Sequence, residues 1–118
     1  MKRYNTISPY AATFLEYRTA NPGKCIGYEQ IAVDGTVKKL NWDSFEVTPR
    51  YAIIYLESDT SSGPAIRYRI DGINPTASVG MPKENGDAWD IISTYDLNRF
   101  RVTEVSSGTH TLNIEYYA

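Results

Sequence analysis

The stretch that decides the fold covers residues 65–117 and reads AIRYRIDGINPTASVGMPKENGDAWDIISTYDLNRFRVTEVSSGTHTLNIEYY. In it, short apolar segments are separated by Gly, Pro, Asn and Asp at nearly regular intervals. This punctuation is typical of strands joined by tight turns, and no segment has the length and period of a helix. The stretch therefore predicts an all-β fold.

The start of this stretch shows the alternation of a half-exposed strand. Ile66, Tyr68 and Ile70 occupy every second position, with Arg67 and Arg69 between them. Because successive strand residues point to opposite faces, we expect the three apolar side chains on one side and both arginines on the other. The Asp-Gly pair that follows predicts a turn.

Further strands are predicted along the rest of the stretch. A short edge-like strand is expected at residues 76–80, and another in the AWDII segment after the tight turn that ends at Asp87. The last two strands, 97–105 and 109–117, are expected to form a hairpin across the Ser-Ser-Gly segment at 106–108.

Three more strands precede the stretch. Segments 28–33 and 36–41 flank an Asp-Gly pair, which predicts a hairpin because these residues tolerate positive φ. The apolar run at 51–58 predicts a strand buried in the core. Strands this short bury their apolar faces only against one another, which favours a single-domain antiparallel β-sandwich, jelly-roll-like, with a small barrel as the structural alternative.

The N-terminal quarter is less regular, and the pattern changes near the Asn-Pro-Gly turn signal at 21–23. We interpret residues 1–26 as an N-terminal arm or short helix and residues 27–118 as the sandwich domain. The arm carries aromatic side chains suited to anchoring on a partner. These are Tyr4, Tyr10, Phe14 and Tyr17.

Composition limits the classes of function. The chain has 118 residues, 42% of them hydrophobic, which is enough for one globular domain with a core. The formal net charge of -2 gives no electrostatic footprint for a nucleic acid or an anionic membrane, so neither is expected as a partner. One Cys permits no intrachain disulfide and no thiolate metal cluster. No run of about 18 apolar residues occurs, and we expect a soluble protein made in a cytoplasm.

No catalytic constellation is recognisable. His110 is the sole His, and its place beside a turn predicts a surface residue with no nucleophile in reach. Asp87 and Asp90 flank Trp89 as a sugar-cleaving pair would, but residues three apart in a strand point to opposite sides. We expect Asp87 to cap its turn and Asp90 to face solvent.

Metal and cofactor sites are not expected either. Asp and Asn residues in two loops could meet a calcium ion, but they are also the ordinary residues of turns, and no loop carries a dense D-x-D-x-D series. The loop residues are Asp71, Asn74, Glu84, Asn85 and Asp87. The glycines are separated turn residues, so no phosphate-binding loop is predicted.

Aromatic residues leave two readings open. Trp42 and Trp89 could form a platform for sugar rings, as in carbohydrate-binding modules, or could pack in the core. Tyr116 and Tyr117 must point to opposite faces of their strand, which makes Tyr117 a candidate for exposure or for an interface.

Four segments together resemble small structural proteins of tailed bacteriophages. They are IRYRIDGINPTASVGMP, ENGDAWDI, LNRFRV and TLNIEYY, and they span roughly the C-terminal half. In that family an Arg-Tyr-Arg strand, an Asp-Gly turn, a Pro-Thr-Ala segment and a final strand ending in Tyr-Tyr recur in a β-sandwich of about this length. The N-terminal quarter carries no pattern of the family.

The resemblance implies a non-enzymatic virion component, a capsid decoration (cement) protein that binds the major capsid protein or other virion proteins. It also implies many copies on the particle, a place on the capsid surface and synthesis in the host cytoplasm. Arg67, Arg69 and Tyr117 join the arm aromatics as candidate partner contacts. A head-to-tail or tail component is the alternative within the virion, and a carbohydrate-binding module is the alternative outside it.

Overall fold

A computed structural model describes residues 23–118, and these form two antiparallel β-sheets and one short helix. The elements are β1 (Cys25–Val33), β2 (Tyr51–Ser58), β3 (Ile66–Arg69), β4 (Met81–Lys83), β5 (Ala88–Ile91), α1 (Thr94–Arg99), β6 (Arg101–Glu104) and β7 (His110–Tyr117). One sheet has the strand order β1-β7-β2-β5, and the other has the order β4-β3-β6. The predicted strand-rich fold is confirmed, and its described part has seven strands.

The core lies between the two sheets. β2 and β7 form the middle of the four-stranded sheet, where Ile54 pairs with Ile114 and Leu56 pairs with Leu112. All four side chains are fully buried, as the apolar run at 51–58 predicts. From the other sheet, Tyr68 stacks on Trp89 at 5.3 Å between ring centroids and joins the same core.

The first predicted hairpin is wrong. β1 pairs along its length with β7, and residues 34–38 turn away to the other sheet, where Lys38 alone bridges to Val102. Gly35 does not adopt positive φ, so the tight hairpin turn cannot form. Asp34 instead accepts a hydrogen bond from the Thr36 amide at 2.9 Å, an Asx turn. The 36–41 segment therefore forms no strand with β1.

The last predicted hairpin is also wrong, because β6 belongs to the three-stranded sheet and β7 to the four-stranded one. The segment at 106–108 carries the chain from one sheet to the other. Ahead of β6, the first three residues of the strand predicted at 97–105 form the end of α1. Ser93 caps this helix by accepting a hydrogen bond from the Asp96 amide at 3.1 Å, and Leu97 anchors it in the core.

Two smaller differences concern the loop after β3. Residues 76–80 form no strand, and the edge strand β4 begins at Met81. Ile70 lies just past the end of β3 and is exposed rather than facing the core. The side chains of Ile66 and Tyr68 are buried and those of Arg67 and Arg69 are half-buried, in agreement with the predicted alternation.

Candidate functional site

Arg67 holds the loop between β3 and β4. Its Nε donates to the Ala77 carbonyl at 3.2 Å, and its Nη1 donates to the Gly80 carbonyl at 2.8 Å. A charged donor that reaches two main-chain carbonyls fixes the course of a segment that has no sheet partners of its own. The predicted partner-binding role of Arg67 stays a prediction, while the structure gives this side chain partners within the chain.

Arg69 forms an ion pair with Asp71 at the start of the same loop. Its Nε and Nη2 donate to the two carboxylate oxygens at 3.0 and 2.6 Å, a bidentate arrangement. Together with a hydrogen bond from the Ile73 amide, the Arg69 guanidinium lowers the pKa of Asp71 to about 2. The carboxylate is therefore charged across the whole physiological range.

Contacts with α1 complete the fixation of this loop. The Gly72 amide donates to the Arg99 carbonyl at 3.1 Å, and the Arg99 guanidinium donates to the Asp71 carbonyl. Gly80 adopts φ 136°, and a Cβ there would lie 3.1 Å from the Cβ atoms of Arg67 and Pro75. The backbone therefore needs a glycine at this point.

This fixed loop presents apolar side chains to solvent. We name residues 70–81 the apolar loop. Ile73 is 56% exposed and Met81 is 58% exposed, and Ile70 and Val79 are exposed as well. A groove of about 320 Å³ runs beside Ile70 and Met81. Clustered exposed apolar side chains on a globular domain mark interaction sites more often than isolated ones do.

The outer side of the four-stranded sheet carries a second distinctive surface. Tyr28, Glu115, Ile53 and Asp90 lie side by side in one row across β1, β7, β2 and β5. The next row contains Gln30, Asn113, Tyr55 and Ala88. We name this surface the tyrosine face, because Tyr28 is 56% exposed and Tyr55 is 44% exposed on it.

Asn113 orders the centre of the tyrosine face. Its Oδ1 accepts hydrogen bonds from the Tyr28 hydroxyl at 2.7 Å and from Gln30 Nε2 at 2.8 Å. Its Nδ2 donates to Glu57 Oε1 at 2.9 Å and to the Tyr55 carbonyl at 3.4 Å. One amide therefore holds side chains of three strands in fixed positions.

Asp90 lies at the β5 edge of the tyrosine face. It was expected to face solvent, but it is half-buried, and its Oδ2 is buried without a hydrogen-bond partner. Burial raises the pKa of this carboxyl group. Asp87, in contrast, caps its turn as predicted, because its Oδ2 accepts a hydrogen bond from the Glu84 amide at 2.8 Å.

His110 is buried, so the expectation of a surface residue is wrong. Its Nε2 lies 2.8 Å from the Ser106 carbonyl, which only accepts, so Nε2 carries a proton; Nδ1 forms a hydrogen bond with the Ser58 hydroxyl at 2.8 Å. Glu104 Oε1 lies 3.5 Å from the same Nε2. The Ser58 Oγ also accepts a hydrogen bond from the Thr60 amide at 3.0 Å.

Ser58, His110 and Glu104 have the residue types of a hydrolase triad, but the hydrogen bonds of the histidine connect segments that belong to different sheets. The ring connects β2 to the segment after β6, and each ring nitrogen has a partner inside the domain. Sequence inspection missed this contact because Ser58 and His110 are far apart in the chain. They meet only through the pairing of β2 with β7.

The aromatic residues considered as binding candidates pack against other side chains of the domain. Trp89 is buried and lies under Lys83 Nζ, which is 4.9 Å from the ring centroid, and Trp42 packs against Tyr116 at 5.8 Å between ring centroids. A tryptophan platform for sugars is therefore not formed. Tyr117 points away from Tyr116 as predicted, but it is only 8% exposed, so the expectation of exposure is wrong; its ring stacks on Tyr51 at 4.8 Å between centroids.

The predicted arm contacts lie outside the described residues. They are Tyr4, Tyr10, Phe14 and Tyr17. Within residues 23–118, no group of three or more His, Cys, Asp or Glu is placed to hold a metal ion. Across the same range, no helix is long and apolar enough to cross a membrane.

Comparison with known proteins finds no matching family model, no matching curated protein and no matching solved structure. A function is therefore inferred from the residues of this chain. Two features stand out among the described residues, the apolar loop and the tyrosine face. Neither was predicted, although Ile73, Val79 and Met81, set among turn residues, were a readable signal of apolar side chains on a loop.

Proposed function

We propose that this chain is a non-enzymatic structural component of a tailed-phage virion, a decoration protein that binds the major capsid protein. The resemblance of residues 66–117 to phage structural proteins supports the biological setting. The apolar loop is the observation that supports binding. On this proposal the protein is made in the host cytoplasm and resides on the capsid surface.

The apolar loop has the properties of a binding element that is ready before its partner arrives. Hydrogen bonds from Arg67 and the ion pair of Asp71 fix the backbone, so binding loses little conformational entropy there. Ile73 and Met81 supply apolar area that a partner pocket removes from water. Arg67 and Arg69 then act by positioning the contact residues.

Repetition on a symmetric shell makes modest contacts sufficient. Each copy contributes a small interface, and a lattice of copies that clamp neighbouring subunits gains strength through multivalency. We therefore propose that the copies act together on the particle. The chain crosses between the sheets four times, at β2–β3, β4–β5, β5–β6 and β6–β7, which supports the jelly-roll-like sandwich as part of this proposal.

A head-to-tail or tail component is the second candidate within the virion, since a fixed apolar loop serves a ring or a fibre equally well. The two candidates differ in copy number. The carbohydrate-binding alternative loses its physical basis in the burial of Trp89 and the packing of Trp42.

The test is cosedimentation of purified protein with capsids from the same genome that lack it. The double variant Ile73→Ser, Met81→Ser removes apolar contact area, and we expect its affinity to fall at least tenfold, about 1.4 kcal/mol or more. Val47→Ser is the matched control, because Val47 is similarly exposed and lies outside the apolar loop. Equal binding of the double variant and the wild type would show that the apolar loop is not the contact.

A further inference from the structure

We infer that the tyrosine face is a second docking surface, which receives a protein surface carrying lysine or arginine side chains. This deepens the proposed function and rests on it for the setting of the partner in the virion. Tyr28 and Tyr55 supply the aromatic contacts, and Glu57 and Glu115 supply the charge.

The aromatic contacts are organised in advance. Tyr28 is tied by its hydroxyl to Asn113, and the same amide group bonds the main chain of Tyr55 and the carboxylate of Glu57. Exposed tyrosines are enriched at protein interfaces, because a large ring with two rotatable bonds gives contact area at low entropic cost. The polar network on this open sheet face therefore keeps the Tyr28 ring in place without burying it, and it fixes the backbone that carries Tyr55.

The charge of the face selects the partner. Glu57 and Glu115 are exposed there, Asp90 lies at the edge, and the strand residues on this side include no Lys or Arg. The basic side chains of β3, β4 and α1 belong to the other sheet and the helix, so they do not offset the carboxylates of the tyrosine face. Opposite charge on a partner steers association and fixes orientation.

Asp90 adds a reason for a cationic partner. Its Oδ2 is removed from water without a hydrogen bond in return. A carboxylate in this position is costly, and a nearby cation offsets part of that cost. A lysine or arginine placed at the β5 edge by the partner would act on this buried oxygen through space, without contacting it.

A twofold-symmetric contact between the tyrosine faces of two copies is not favourable. Two copies related by a twofold axis would bring Glu57, Glu115 and Asp90 against the same three carboxylates. Like charges across an interface are destabilising, and no base on the face compensates for them. The occupant is therefore a different surface, of basic character.

The size of the face limits its strength. Strands spaced about 4.8 Å apart, with about six residues along three of them and four along β5, give roughly 350 Å² of surface. A stable complex buries about 800 Å² on each partner. The tyrosine face is thus a supplementary contact, and together with the apolar loop it would let one copy bridge two subunits.

The first test uses an octa-arginine peptide and NMR of the full-length ¹⁵N-labelled protein. We expect the peptide to shift the amide signals of Tyr28, Tyr55 and Asn113 most strongly. The affinity should fall at least tenfold between about 50 mM and 500 mM salt, because screening weakens contacts between exposed charges. Shifts concentrated elsewhere on the domain would overturn the inference.

Matched variants distinguish binding at the tyrosine face from an effect of the protein's net charge. Glu57→Lys with Glu115→Lys should weaken peptide binding at least tenfold. Glu46→Lys with Glu84→Lys gives the same change in net charge at exposed positions outside the face and should stay within about twofold of the wild type. Equal losses of peptide affinity in both pairs would show that net charge alone causes the effect, and this would overturn the inference.

The Glu57→Lys change also removes the hydrogen bond between Asn113 and Glu57. A third variant avoids this loss. Tyr55→Ser keeps every charge and removes one exposed ring, and we expect at least threefold weaker binding of the peptide. Thermal melts of all variants identify those that fail to fold. Unchanged peptide binding by a folded Tyr55→Ser protein contradicts the aromatic part of the inference.

Capsid cosedimentation keeps the two proposals apart. If the wild type does not bind capsids but the peptide maps to the tyrosine face, the proposed function fails and the docking surface stands. If the wild type and the Glu57→Lys, Glu115→Lys variant bind capsids equally and the peptide maps elsewhere, the docking surface fails and the proposed function stands.

Discussion

Arg67 and Gly80 are joined by a 2.8 Å hydrogen bond from the guanidinium Nη1 to the main-chain carbonyl. The bond links the middle strand of the three-stranded sheet to the end of the apolar loop. Because Arg67 Nε also reaches the Ala77 carbonyl, one side chain sets the position of the segment that carries Val79. The order of the apolar loop therefore depends on a residue that does not itself present apolar surface.

Arg67→Ala should loosen the apolar loop while the sheets persist. Hydrogen bonds from a charged group contribute about 1.5 to 3 kcal/mol each, and at this half-buried site we expect a total loss of about 2 kcal/mol. NMR order parameters at Val79 and Gly80 should fall below about 0.6. Arg50→Ala, at an exposed position outside this loop, is the control. A loop as rigid as in the wild type would show that other contacts fix it.

The Asp71 carboxylate should titrate near pH 2. Its folded pKa lies below the ordinary value, so its contribution to stability is present above about pH 4 and is lost as the pH falls through about 2. The Ile73 amide donates to Asp71 Oδ1, so its NMR shift reports the titration directly. Asp71→Asn should abolish the transition. A midpoint near 4 would mean that Arg69 does not hold the carboxylate.

Tyr116→Phe should destabilise the fold. The buried hydroxyl donates to Glu29 Oε1 at 2.6 Å, and its removal leaves that carboxylate with the Asn41 amide at 3.1 Å. We expect a loss of about 2 kcal/mol in the free energy of unfolding, measured by urea denaturation. Tyr95→Phe, at an exposed position, should change it by less than about 0.5 kcal/mol.

Ser58→Ala should also destabilise the fold, because it leaves buried His110 Nδ1 without its hydrogen-bond partner. We expect a loss of about 1 to 3 kcal/mol, with exposed Ser62→Ala as a near-neutral control. The wild type should not react with a fluorophosphonate probe, since the hydroxyl is committed to His110 and Thr60. Labelling that depends on Ser58 would contradict the non-enzymatic proposal.

Local pattern predicted the strands that lie in the core. β7 alternates, and its pattern alone identifies the buried face. The continuous apolar run of β2 predicted a strand in the core, but it did not predict that Tyr55 and Glu57 would be exposed. Pairing was predicted less well, because it depends on contacts between distant segments. The Asp-Gly pair at 34–35 is a strong local hairpin signal, yet the long strand β7 takes the place that the 36–41 segment was expected to fill.

The candidate site was predicted least well. The position of Arg67 and Arg69 on one face followed from alternation, but their bonds to Gly80 and Asp71 depend on how the following loop folds back. The tyrosine face combines side chains from four strands that are far apart in sequence. Such a surface becomes visible only once the strand order is known.

The most direct test of the central claim is the number of copies bound per particle when purified protein is added to capsids from the same genome. We predict cosedimentation with saturation at a fixed ratio to the major capsid protein, on the order of hundreds of copies for a symmetric shell. Saturation at a few copies would move the protein to the tail or the head-to-tail junction. Absence of binding at any concentration would contradict its assignment as a virion component.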